Sequence, residues 1–326
     1  MIFSVIVPYF NSNACIGKTL DTLLNQDIPS SEYEIIVVDD ESDEEPVVLN
    51  DYMCRFPQIR YFRKKHSGLP LTRNFGISVA QGAWLYFCDG DDFVQPQVFG
   101  GIIATAEERQ LEMIYAKVRR LAPSDPIPEP RRNFSVVSET MSGMEYIKKN
   151  TFTFGVWSYL IRSSFVKSHG LSFEDIFYVE DRIFLLDMIP FVSKVARIDV
   201  DLYYYIQHAN SIVHMKRKSN GSKYVAPLFI VLDKLTALIK EYSISPQTDD
   251  GLFAIRANNA SMVLNNAFWY CSVKETVDCI ACLEEMGAYP IGKSNNKRVR
   301  KYRILMNHKN LWIFLCRCYH FFNKTT

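Results

Sequence analysis

Along the first 120 positions, apolar residues come in short unbroken runs separated by amphipathic stretches. Phe3-Ser4-Val5-Ile6-Val7, Ile35-Ile36-Val37-Val38, Ile59-Arg60-Tyr61-Phe62 and Ala83-Trp84-Leu85-Tyr86-Phe87-Cys88 are such runs. They are too short for helices and too apolar for half-exposed strands, so they predict strands covered on both faces, as in a parallel sheet. Between them, Ile16, Leu20, Leu23 and Leu24 share one helical face, with Ser12 or Asn13 as the expected cap. A second helix carries Val47, Val48, Tyr52 and Phe56. A third runs through Arg73-Asn74-Phe75-Gly76-Ile77 after the loop His66-Ser67-Gly68-Leu69-Pro70. Strand–helix alternation of this kind predicts a doubly wound, mainly parallel α/β sheet of Rossmann-like design, with ligands at the carboxyl ends of the strands.

The pattern then changes. A strand is expected over Glu112–Ala116, a helix from Glu180 to a stop at Pro190, and separate strand pieces at 195–200 and 202–207. Beyond about residue 220 the spacing is helical only, in Val225–Tyr242, Ala254–Tyr270 and Lys274–Met286. The reading is therefore an α/β domain over 1–215, with halves at 1–118 and 119–215, and a C-terminal α-helical extension over 216–326.

Two of the buried runs end in acids. Val37-Val38 leads into Asp39-Asp40-Glu41-Ser42-Asp43, and the run at Cys88 leads into Asp89-Gly90-Asp91-Asp92. Two carboxylates about 4 Å apart repel by roughly 4 kcal/mol at an effective dielectric near 20. Three within four residues call for a cation, and hard oxygen donors favour Mg²⁺ or Mn²⁺ shared with substrate phosphates. The alternative for the isolated motif is a solvated acidic turn, with Asp92 and Asp43 serving as helix caps.

Composition narrows the class. The chain has 326 residues, 48% of them hydrophobic, and a net charge of +1, which suits a large core and argues against a nucleic-acid partner. The opening Met1–Pro8 segment lacks a basic leader and a cleavage site, so it is read as a core strand and not a signal peptide. Eight scattered cysteines, with one Cys279-Ile280-Ala281-Cys282 motif and no second pair at zinc spacing, suggest reduced core thiols in a cytoplasmic protein. Lys293, Lys297, Arg298, Arg300, Lys301 and Arg303 form a basic cluster, followed by an aromatic stretch from Trp312 to Phe321-Phe322. That stretch is too short to span a bilayer. It suits either an interfacial helix on an anionic leaflet, placing the protein at the cytoplasmic face of the inner membrane, or a last helix packed on its own domain.

Pro8-Tyr9-Phe10-Asn11, then Val37-Val38-Asp39-Asp40-Glu41-Ser42, then Gly68 with Arg73-Asn74 and Gly76, then Asp89-Gly90-Asp91-Asp92, occur in an order that resembles the family 2 glycosyltransferases of the GT-A fold. The likeness covers about the first 100 residues closely and returns at Val156-Trp157, Phe173 and Glu180-Asp181. It implies a metal-dependent, inverting transfer from a nucleoside-diphosphate sugar, UDP-linked by expectation, to a glycan or lipid-linked oligosaccharide. It places Pro8, Tyr9 and Asp39 at the base, Gly68, Arg73, Asp89 and Gly90 at the rest of the donor, and Asp91 on the metal. His208 is a candidate further metal ligand, and Trp157 and Glu180 are candidate acceptor contacts. Asp181 is the candidate general base; the alternative is that Glu180 and Asp181 only complement the positive end of a helix. Tyr159 and Gln207-His208 depart from the family pattern on the acceptor side. Competing readings are a nucleotidyltransferase and a non-catalytic nucleotide-sugar-binding scaffold, with oligomerisation open. The absence of a GxGxxG after the first strand argues against a dehydrogenase.

Overall fold

The structure is a computed structural model that describes residues 1–130, 133–207, 221–242 and 251–323. It divides into two compact units that interleave along the chain. The sheet unit comprises Met1–Gly143, Thr153–Asp175 and Asp187–His208; the helical unit comprises Met144–Phe152, Ile176–Leu186 and Ala209–Thr326. The division therefore does not run at one point near residue 215. Two short segments from the first 190 residues fold with the C-terminal helices.

In the sheet unit, strands β1 (Phe3–Tyr9), β2 (Tyr33–Asp39), β3 (Ile59–Arg63), β4 (Trp84–Phe87), β5 (Phe93–Val94), β6 (Met113–Leu121), β7 (Tyr159–Arg162) and β8 (Val195–Ile206) form one sheet, in the order β3-β2-β1-β4-β7-β6-β8-β5. β3, β2, β1 and β4 are all parallel, as is β6 with β8. β7 runs antiparallel to both β4 and β6, and β5 antiparallel to β8. The fold class expected from the periodicity is the one observed. The two strand pieces expected at 195–200 and 202–207 are one strand, which shifts register against β6 near Lys117.

Residues of β1 and β2 are buried throughout apart from Pro8, because helices cover both faces. α1 (Ile16–Leu24) and α4 (Phe99–Glu108) contribute Ile16, Leu20, Leu23, Phe99 and Ile102 to one core with Phe3, Val5 and Tyr86. α3 (Leu69–Val79) lies close on β1: a Cβ on Gly76 would sit 2.4 Å from Ile6. Neither Ser12 nor Asn13 caps α1. The Asn13 side chain is instead taken by Tyr9 and the Glu45 carbonyl, which tie the loop after β1 to the loop after β2.

The helical unit contains part of α5 (Gly143–Lys149), the start of α7 (Glu180–Met188), α8 (Ala226–Glu241), α9 (Gly251–Tyr270), α10 (Val273–Glu285), α11 (Lys297–Asn307) and α12 (Lys309–Asn323); α2 (Val47–Arg55) and α6 (Ser163–Ser168) belong to the sheet unit. Buried Leu228, Leu232 and Leu235 of α8 and Ile255, Ala260 and Leu264 of α9 supply its core. α10 starts with a reciprocal cap between Ser272 and Glu275. α12 packs through Trp312, whose ring lies 5.0 Å from Phe268, and through the buried Cys316. All eight cysteines are free thiols. Among the described residues no helix is long and apolar enough to cross a membrane.

Candidate active site

The strand register brings the acidic loops to one edge. Tyr9 lies beside Asp39, so β1 and β2 end level, while β4 ends at Phe87 beside Ile6 and its acidic turn runs on along the last residues of β1. Loops that leave the carboxyl ends of adjacent parallel strands share the crevice where such sheets bind ligands.

Asp39 is fully buried. Its Oδ1 accepts from the Ser42 amide at 2.8 Å and the Ser42 hydroxyl at 2.7 Å. Its Oδ2 accepts from the Tyr61 hydroxyl at 2.6 Å and lies 3.5 Å from Arg63. Burial, and then the neighbouring Asp39 charge, push the Tyr61 phenol up to about 12. Both oxygens of the Asp39 carboxylate are thus hydrogen-bonded within the chain. Asp40 organises the next loop. It accepts from Lys64, from the Ser67 amide at 3.0 Å and from the Gly68 amide at 2.8 Å, with His66 Nδ1 at 2.9 Å. Burial alone would raise its pKa, but the bonds from Lys64, Gly68 and Ser67 outweigh it and hold the carboxyl below the usual aspartate range. Gly68 takes φ 88° there, in the left-handed region that favours glycine. Asp43 is not a cap either: its amide donates to Asn11 Oδ1 at 2.9 Å and its carboxylate accepts from Asn11 Nδ2 at 3.1 Å.

The Asp89–Asp92 turn divides its acids by environment. Arg73 of α3 is buried and donates through Nη2 to Asp89 Oδ1 at 3.0 Å, with its guanidinium 5.4 Å from the Phe173 ring centre. Asp91 is exposed. Asp92 is buried and accepts from the Tyr203 hydroxyl and, at 2.6 Å, from the Ile206 amide. It therefore ties the turn to the end of β8 and does not cap a helix. Burial first, then the charges of Asp89 and Asp91, push its pKa up to about 8. Trp157 stacks on Tyr203 at 4.9 Å with 6° between the planes, and a Cβ on Gly155 would run into the Trp157 ring at 2.2 Å. Gly90 passes close under Pro8, where a Cβ would meet the carbonyl oxygen at 3.2 Å.

Pro8, Tyr9, Asp39, Gly68, Arg73, Asp89, Gly90, Asp91 and Trp157 all belong to the sheet unit. Glu180 and Asp181 occupy the first turn of α7, within the helical unit. The next residue, Arg182, bonds Asn259 Oδ1 of α9 at 3.0 Å, and burial lowers its pKa. His208 lies outside the described residues. Tyr203, Tyr61 and Lys64 were missed in the sequence, although Leu202-Tyr203-Tyr204-Tyr205 is a conspicuous aromatic run. Their roles depend on phenols and an amine reaching acids far away in the chain.

Among the described residues no three His, Cys, Asp or Glu side chains converge as a ready-made metal cluster. The donor set nonetheless fits a hard divalent ion that draws the rest of its oxygens from a bound diphosphate. Asp91 offers an exposed carboxylate and Asp89 a partly exposed one.

Comparison with known families gives the frame for this geometry. Residues 4–167 match the model of glycosyl transferase family 2. The chain belongs to that family. Over 223 residues this glycosyltransferase-family chain is 30% identical to the uncharacterized glycosyltransferase EpsJ of Bacillus subtilis, covering 67% of its own length and 64% of EpsJ. It is 28% identical to a poly(ribitol-phosphate) beta-glucosyltransferase of Bacillus spizizenii, covering 64% of its own length and 32% of that relative. Among solved structures, S. aureus TarS 1-349 in complex with UDP-GlcNAc superposes with a TM-score of 0.71 at 19% identity, covering 96% of this chain and 90% of that one. That likeness establishes the GT-A fold.

Proposed function

We propose that the chain transfers a sugar from a UDP-sugar to a hydroxyl of a glycan or lipid-linked acceptor in surface-polysaccharide synthesis, with inversion and with help from Mn²⁺ or Mg²⁺. The observation that carries this reading is the Arg73–Asp89 pair beside the exposed Asp91, in the turn that leaves the carboxyl end of β4 next to β1. Family membership supports it, as do the named activities of relatives and the UDP-GlcNAc bound by TarS. Pro8 and Tyr9 line the base side, and Gly68 and Gly90 let backbone come close to the diphosphate. Arg73 holds the Asp89 carboxylate fixed for the donor's ribose and sugar. Asp91 would hold the divalent ion, which supplies charge neutralisation to the departing diphosphate.

Asp181 takes the proton of the acceptor hydroxyl in this reading. An aspartate ionised at neutral pH is a weak base, and it suffices when the proton leaves late, after positive charge has built up at the anomeric carbon. A base acting opposite the leaving group gives one displacement and one inversion. Glu180 and Trp157 contact the acceptor. The test is UDP release and glycoside formation with a panel of UDP-sugars, with and without Mn²⁺. An absence of UDP release with every donor would leave only a binding protein.

The C-terminal helices give a second, separable reading of location. Leu311, Phe314, Phe321 and Phe322 of α12 and Ile304 of α11 are exposed, beside a helix that begins Lys297-Arg298 and continues Arg300-Lys301. An apolar face next to cations suits the surface of an anionic membrane.

A further inference from the structure

A cavity of about 860 Å³ opens within the helical unit, between α5, the start of α9, the loop 287–295 and α11. Among the described residues, its lining includes Lys148, Arg256, Lys293, Arg300 and Arg303, and no aspartate or glutamate. Among the described residues, Arg256, Lys293, Arg300 and Arg303 have no ion-pair partner. Two other cations of the same unit do have one: Lys149 pairs with Glu145 at 2.9 Å, and Lys309 with Glu284 at 2.8 Å. Like charges gathered around one hollow repel, and an anion between them removes that cost.

The walls are fixed. Arg256 donates to the Gly287 carbonyl at 2.8 Å and lies over the Phe253 ring at 5.2 Å. Asn295 donates to the Asn150 carbonyl at 3.2 Å, and the Ser294 hydroxyl to Asn258. The Asn307 side chain closes the loop by bonding both the amide and the carbonyl of Ile291, at 2.7 and 3.0 Å. Burial lowers the pKa of Arg256, a penalty on its charge that a bound anion would relieve.

Arginines present a planar fork that matches phosphate oxygens, and the hollow is far larger than one phosphate group. We infer that this cavity binds a stretch of phosphodiester-linked chain, the anionic backbone of the polymer that receives the sugar. The inference rests on the proposed transferase reading for calling the ligand an acceptor, though not for the binding itself.

The test is fluorescence anisotropy of the full chain with a labelled, soluble oligo(glycerol phosphate). A labelled neutral malto-oligosaccharide is the comparator, and unlabelled glycerol 1-phosphate, the soluble counterpart of a lipid headgroup, is the competitor. The oligomer binds and the neutral sugar does not, and added salt weakens the binding. Arg300→Gln with Arg303→Gln weakens it by at least about tenfold, because charge-assisted hydrogen bonds are lost. Lys297→Gln with Lys301→Gln removes the same charge from outside the lining and changes it by less than about twofold. Unaltered melting confirms that each variant folds. No oligomer binding, an equal loss in both pairs, or displacement by glycerol 1-phosphate as effective as by unlabelled oligomer overturns the inference. UDP release from donor alone is measured on the same variants. Normal release without oligomer binding removes the cavity's role only, and oligomer binding without release from any donor removes the transferase reading only.

Discussion

In the sheet unit the buried Asp39 and Asp40 and the partly exposed Asp89 are matched inside the chain: Asp39 by Tyr61 and Ser42, Asp40 by Lys64 and two backbone amides, Asp89 by Arg73. In the helical unit, Arg256, Lys293, Arg300 and Arg303 surround a cavity with no carboxylate among the described residues of its lining. The first arrangement fixes loops in advance of any ligand, so the fold bears the cost of holding the charges. The second leaves the charges for a ligand to complete. Asp91, exposed in its turn, presents a carboxylate at the surface of the sheet unit.

The contrast can be broken by removing charges of each kind. Asp91→Ala should give the largest effect, lowering transfer by on the order of 10²–10³-fold, the scale of losing one charge-stabilising group. Calorimetry should show that UDP binding no longer depends on Mn²⁺; unchanged metal-dependent binding would take the ion away from Asp91. Asp181→Asn should lower transfer by roughly 10²–10⁴-fold, the range for a general base, and leave donor affinity intact. Survival of transfer within a few-fold would assign the base elsewhere.

Asp40→Ala should cost about 3–5 kcal/mol by urea unfolding, because it strands Lys64 in a partly buried pair. The sign with pH follows from its depressed carboxyl. The stability it contributes is complete above the ordinary aspartate range and is lost as pH falls through the lower folded value. Melting temperature should therefore drop less below about pH 4 in Asp40→Asn than in the parent chain. Gly68→Ala should cost about 1–2 kcal/mol, since φ 88° suits glycine alone. The smallest effect is expected from Phe321→Ser with Phe322→Ser, a few-fold loss of flotation with anionic vesicles and no change in melting. Deleting all of α12 would be a poor substitute, because Trp312 and Cys316 are core residues of the helical unit.

Much of this was legible in the chain. The apolar runs at residues 3–7, 35–38 and 84–88 are strands buried on both faces, and the family motifs sit at their ends. Less legible was which acid does what. Asp39, Asp40, Asp43 and Asp92 look alike in sequence. Their partners, Tyr61, Lys64, Asn11 and Tyr203, stand between 22 and 111 residues away.

The sequence alone determined strand and helix identity, because periodicity and burial are local properties of the pattern. It also determined the carboxyl-end placement of the acidic loops, because parallel strands joined by helices must finish on one edge. Only the tertiary structure decided which carboxylates are sealed and which stay open. It also decided that Glu180 and Asp181 fold with the C-terminal helices and that five cations enclose one hollow. The physical reason is that desolvation and pairing depend on neighbours brought together by the fold, and spacing along the chain does not specify them.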